Sequence, residues 1–124
     1  MRVLYVDDEP DIREIAEIAL NLDEGMIVQT AASGEEAVSK AITWRPDVIL
    51  LDVMMPVMDG PMTLGKLRAR TETAAIPVVF VTARTQTQEV ERFRSLGAAA
   101  VISKPFDPML LAAQVRAIRV ARSN

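Results

Sequence analysis

Short greasy runs alternate along this chain with longer stretches in which apolar residues recur every three or four positions. The greasy runs are Val3 to Val6, Met26 to Ala31, Val48 to Leu51, Ile76 to Val81 and Ala99 to Ser103. Runs of this length read as strands buried on both faces of a parallel sheet. The second is the most polar of them, which puts it nearer a sheet edge. Between the runs lie stripes with helical spacing. They are Ile12, Ile15, Ala16, Ala19 and Leu22, then Ala37, Val38, Ala41 and Ile42, then Leu64 and Leu67, then Val90, Phe93 and Leu96, and last Leu111, Val115 and Ile118.

Punctuation residues sharpen the boundaries. Pro10 suits a first helical turn, and Asp23-Glu24-Gly25 stops that helix. Ser33-Gly34-Glu35-Glu36 is a capping box, and Arg45-Pro46 breaks the helix it opens. Asp59 caps a third helix, with Gly60 and Pro61 in its first turn. Pro77 stands at the start of the fourth strand, where a missing donor is tolerated. Gly97 stops the fourth helix, while Asp107 caps and Pro108 opens the fifth. Five strands alternating with five helices predict an α/β fold with helices on both faces of a parallel sheet. Right-handed crossovers leave few topologies, among them the flavodoxin-like, doubly wound (βα)5 sandwich of strand order 2-1-3-4-5.

The totals narrow the chemistry. The 124 residues suit one domain over 1–124, and no interdomain linker or internal repeat is visible. Met1 directly before the first strand and an end just after the last helix favour a stand-alone chain without an output domain. With no cysteine there is neither a disulfide nor a thiolate metal site, and with no histidine the commonest general base and zinc ligand are missing. A resident metal must then be held by oxygen, which selects a hard cation. Net charge is −3 with no basic patch, so no nucleic-acid partner is expected. No apolar run approaches the length of a membrane span, so a cytoplasmic chain without a membrane partner is expected.

Candidate chemistry collects at the strand ends. The third greasy run ends in Asp52, and a carboxylate in mid-strand is very costly to bury. At the carboxyl end of a parallel strand it emerges instead into the crevice where open α/β sheets bind ligands. The first strand ends in Asp7 and Asp8, the fourth in Thr82, the fifth at Lys104. Taken singly, each has a plain reading as a cap, a helix-dipole acid, a turn hydroxyl or a solvated strand end. Their weight comes from sharing one edge. Three carboxylates together call for a cation, and oxygen ligands select Mg²⁺, with Mn²⁺ able to substitute. A lysine and a hydroxyl beside such a metal suit a phosphoryl group, and the natural nucleophile is Asp52. Asp59 is left as a cap, and Met54, Met55 and Met58 as packing.

Four segments carry a family resemblance: Val6-Asp7-Asp8-Glu9, Asp52 through Gly60, Val81-Thr82-Ala83 and Lys104-Pro105-Phe106. In this order and spacing the chain resembles the receiver domains of two-component response regulators, over nearly its whole length. The resemblance implies that Asp52 is the phosphoacceptor. It implies Mg²⁺ on Asp8 directly, on Asp7 through water, on Asp52 and on the backbone carbonyl of Met54. Thr82, Lys104 and backbone N–H groups near Val53 and Ala83 would contact the phosphoryl oxygens, and the Lys104–Pro105 peptide would be cis. The implied donor is a sensor histidine kinase or a histidine phosphotransfer protein. The implied output is a surface change, for protein–protein signalling or phosphorelay, read by a downstream protein target. Such a chain catalyses its own phosphorylation and slow dephosphorylation without being a turnover enzyme. It would be a monomer, or a weak dimer through the face made by the fourth helix, fifth strand and fifth helix.

One position departs from the pattern. The family often has an aromatic residue three positions before the lysine, and here that position is Val101. Met54 and Arg84 occupy positions that in the family tune how fast phosphoryl is lost. Two other readings compete. A small Mg²⁺-dependent hydrolase of haloacid dehalogenase type shares the aspartate, hydroxyl and lysine, but wants a second aspartate where Met54 stands. A flavodoxin-like cofactor binder wants a polar phosphate loop after the first strand, where Asp7-Asp8-Glu9-Pro10 is acidic.

Overall fold

A computed structural model describes the backbone of residues 1–123 and the side chains of residues 1–118. Strands and helices alternate as β1 (Arg2–Val6), α1 (Pro10–Asn21), β2 (Ile27–Ala31), α2 (Gly34–Trp44), β3 (Val48–Asp52), α3 (Gly60–Arg68), β4 (Val78–Thr82), α4 (Thr87–Ser95), β5 (Ala100–Ser103) and α5 (Leu111–Ser123). All strand pairs are parallel, and the sheet order is β2-β1-β3-β4-β5. This is the doubly wound order expected from the alternation.

The register sets the strand ends level. Val6 lies opposite Ala31 and Leu51, Asp52 opposite Val81, and Thr82 opposite Ser103. Whatever follows each strand therefore emerges along one edge of the sheet.

Side-chain alternation along the strands builds two cores. Leu4, Val6, Ile49, Leu51, Val78 and Phe80 pack with Ala37 and Ala41 of α2, Leu64 and Leu67 of α3 and Phe93 of α4. Val3, Tyr5, Val48, Leu50, Val79 and Val81 pack with Ala16, Ala19 and Leu20 of α1 and Leu111 and Val115 of α5. Every residue of β3 and β4 is buried, which is why those runs read as uninterrupted grease. The more polar β2 is indeed the edge strand, and Ile27 there is largely exposed.

Local chemistry explains the helix ends. Ser33 Oγ accepts from Glu36 N–H at 3.1 Å, while the Glu36 carboxylate reaches back to Ala32 N–H at 3.1 Å. Asp59 Oδ1 accepts from Met62 N–H at 2.9 Å and so caps α3. A Cβ on the next residue, Gly60, would stand 2.8 Å from both the Asp52 carbonyl oxygen and Val53 Cα. Only glycine lets α3 begin this close to the end of β3. Arg45, at φ 55°, ends α2.

One expectation is corrected, and burial adds detail at two helices. Pro108 opens a turn rather than the last helix. The Asp107 carboxylate accepts from Met109 N–H and its carbonyl from Leu110 and Leu111 N–H, so the chain makes tight turns before α5 starts at Leu111. On α1 the buried stripe is Ala16, Ala19 and Leu20, whereas Ile15 and Leu22 are largely exposed. Small alanines let the helix sit close to the sheet, which turns the longer side chains at its flank outward. Leu96 is likewise exposed at the end of α4, leaving Phe93 as the buried residue of that helix.

Candidate functional site

The switch point of the sheet lies where β1 meets β3. α1 follows β1 onto one face, and α3 follows β3 onto the other. Asp7 and Asp8 leave the end of β1 there, and Asp52 is the last residue of β3. Thr82 ends β4, and Lys104 follows directly on β5. The Lys104–Pro105 peptide bond is cis.

Asp7 is fully buried, and its carboxylate takes three donors. Glu9 N–H donates to Oδ1 at 3.0 Å, while Tyr5 O–H at 3.1 Å and Lys104 Nζ at 2.8 Å both donate to Oδ2. The same Lys104 Nζ stands 3.3 Å from Asp52 Oδ1. One ammonium thus bridges carboxylates from two neighbouring strands. Arg13 reaches back from α1 to the Asp7 carbonyl at 2.8 Å and fixes the backbone of the acidic loop. Thr82 Oγ1 accepts from Arg84 N–H at 3.0 Å, so the hydroxyl is held at the rim by its own turn.

The electrostatics follow from burial. Asp52 is 4% exposed. Burial first, and then the charge of Asp7, push its carboxyl up to about 6, against the opposing pull of Lys104 and the Met54 N–H. For Lys104, burial works against the charged form. The hydrogen bond to Asp7 and the charges of Asp52 and Asp7 outweigh it, and the amine is held above its ordinary value. Burial and the neighbouring Asp7 raise the Tyr5 phenol, which stays a donor at any physiological pH.

Asp7, Asp8 and Asp52 each present a carboxylate oxygen, all within 4.8 Å of one another. An all-oxygen set holding two buried carboxylates fits a hard divalent cation, which would relieve the repulsion that raises Asp52. The three acids are not equivalent. Asp7 already takes three protein donors, two of them on Oδ2, whereas Asp8 is half-buried and makes no hydrogen bond or ion pair among the described residues.

The other expected site residues lie around this group. The Met54 side chain is largely exposed beside Asp52, and Ala83 is exposed at the rim. Val53 N–H is taken up by the Val81 carbonyl at 3.3 Å. An apolar hollow of about 340 Å³ adjoins Lys104, with Ile12, Ile15, Ala83 and Phe106 among its walls. Val101 is half-buried against the core under α4, opposite Phe80 in the sheet. The Phe80 ring meets Phe93 edge to face, with centroids 5.0 Å apart and planes at 74°. The aromatic contact between sheet and α4 is thus made one strand over from β5. Sequence reasoning passed over Tyr5. Its signal was a single hydroxyl-bearing ring in an aliphatic strand, two residues before Asp7.

Fold and side chains together define a flavodoxin-like α/β protein with an acidic, lysine-bridged pocket at its switch point. Within that class, the response regulator receiver domain family matches residues 3–116, and the chain belongs to it. It is 38% identical over 117 residues to the DNA-binding dual master transcriptional regulator RpaA of Synechocystis, a match covering 94% of this chain and 48% of that protein. Among solved structures, the chemotaxis protein CheY4 of Vibrio cholerae superposes with a TM-score of 0.86 at 35% identity, covering 94% of this chain and 97% of that one. The signal receiver domain of a histidine kinase from Syntrophus aciditrophicus does so with a TM-score of 0.82 at 31% identity, over 97% and 90% of the two chains.

The chain spans about half the length of the curated relatives it matches. The family consists of signalling domains and depends in general on Mg²⁺, and nothing favours the haloacid dehalogenase alternative. The expectation of no nucleic-acid partner gains no support, because relatives such as RpaA are named as DNA-binding. No described helix is long and apolar enough to cross a membrane.

Proposed function

We propose that this chain accepts a phosphoryl group on Asp52 from a phosphohistidine of a sensor kinase or histidine phosphotransfer protein. The observation that carries this reading is Lys104 bridging Asp7 and Asp52, with the uncommitted carboxylate of Asp8 beside them. An Asp52 carboxylate oxygen attacks phosphorus, the phosphorus–nitrogen bond of the donor breaks, and the imidazole leaves and takes up a proton. The product is an acyl phosphate.

Asp8, Asp52 and the Met54 carbonyl would hold Mg²⁺ directly, with Asp7 acting through water. When bound, the ion neutralises charge on the phosphoryl oxygens. Lys104 exchanges part of its contact with Asp52 for a phosphoryl oxygen, Thr82 turns from the Arg84 N–H toward another, and the Ala83 N–H serves a third. These movements shift the population of the α4–β5–α5 surface, to which a downstream protein or a second copy responds. Val101 leaves that coupling to the backbone of β4 and β5 and to the Phe80–Phe93 pair.

Mass spectrometry after incubation with acetyl phosphate and Mg²⁺ tests the reading. Wild type should gain one phosphoryl group and Asp52→Ala none. Equal labelling of the two proteins, or none in wild type, sinks it.

A further inference from the structure

Tyr5 is the one tyrosine of the chain and lies fully buried within β1. Its neighbours Val3, Leu4 and Val6 are aliphatic, and a strand buried on both faces has no need of a hydroxyl for packing. A buried phenol must find a hydrogen-bond partner. Residues two apart on a strand share a face, so β1 itself delivers the Tyr5 hydroxyl beneath Asp7. The contact is 3.1 Å, to the same Oδ2 that Lys104 reaches at 2.8 Å. On its other side the ring meets Phe106 edge-on, with centroids 6.1 Å apart.

The three donors to Asp7 differ in permanence. Glu9 N–H is backbone, and the Tyr5 ring is locked in the core. Lys104 is shared with Asp52 and, under the proposed function, with the phosphoryl group. Tyr5 is therefore the side chain that holds Oδ2 whatever Lys104 does.

We propose that Tyr5 is a positioning residue of this site, its phenol fixing the Asp7 carboxylate in the orientation that faces Mg²⁺ through water. It acts through Asp7 and touches neither the ion nor the phosphoryl group. Partners of this kind orient the groups that face a metal, and their loss typically weakens metal binding about 10- to 100-fold. The inference rests on the proposed function.

The test is Tyr5→Phe, which keeps the ring and its Phe106 contact and deletes only the hydroxyl. Calorimetric titration with Mg²⁺ should show affinity about tenfold weaker than wild type. The urea transition checks that the variant is folded. A second readout needs no variant. With tyrosine labelled at the hydroxyl-bearing carbon, wild type gives a single carbon resonance, and that resonance should move as Mg²⁺ saturates the site. Equal Mg²⁺ affinity in wild type and variant overturns the inference and leaves the proposed function standing, as does an unmoved Tyr5 resonance at saturation. Wild type that binds no Mg²⁺ overturns both. If Tyr5→Phe does not fold, the wild-type resonance decides.

Discussion

Lys104 Nζ stands 3.3 Å from Asp52 Oδ1, and this ion pair joins the end of β3 to the end of β5 across the whole of β4. The pair exists because the same ammonium also answers Asp7. Removing the half-buried ammonium from between two buried carboxylates leaves uncompensated charge behind.

Lys104→Met should therefore destabilise the metal-free chain by about 3 kcal/mol at neutral pH, the low end for breaking a buried pair. Urea unfolding in a chelator measures it. Mg²⁺ should restore part of the loss, since a cation among the three carboxylates does part of the work of the ammonium. A variant as stable as wild type in chelator would contradict this account of the pocket.

Asp52 gives stability an unusual pH dependence. Its folded carboxyl titrates at about 6, above the ordinary 3.8, so between those values the folded chain holds a proton that the unfolded chain has lost. That contribution is complete below about pH 4 and is lost as pH rises through about 6. The difference in urea midpoint between wild type and Asp52→Asn, taken in chelator from about pH 4.5 to about pH 7.5, should shift against wild type as pH rises. A difference that stays flat over that range argues against the raised carboxyl.

Asp23 behaves in the opposite sense. The hydrogen bond from Arg116, and next the Gly25 N–H, hold its carboxyl down at about 2. Its contribution is present above the ordinary value of 3.8 and is lost as pH falls through about 2. The pair ties α5 to the turn after α1. Asp23→Asn should lower the melting temperature at pH 7, and the deficit should close on acidification and shrink in high salt.

Val57 is 99% exposed and sits at φ 69°, a left-handed conformation that a β-branched residue adopts only under strain. Asparagine is at ease there. Val57→Asn should raise stability by about 1 kcal/mol, with phosphorylation of Asp52 unchanged. Denaturant titration and acetyl phosphate labelling check the two halves separately.

Much of this was legible in the residues. β3 and β4 announced themselves because each of their residues is buried, and Asp52 stood out because a carboxylate ends one of those runs. Ser33 and Asp59 marked their helices through local hydrogen bonds that need no tertiary context. What escaped depended on packing. Ile15 and Leu22 share the helical period of Ala16 and Ala19, and only the approach of α1 to the sheet decides which of them faces in. The role of Tyr5 depends on where Lys104 arrives from the far end of the chain.

Among the described residues of α4, only Phe93 is buried, wedged edge-on against Phe80. Nearly every other position of that helix is open to substitution without disturbing either core. The outer face of α4 can thus exchange its side chains while both cores and the acidic pocket keep theirs.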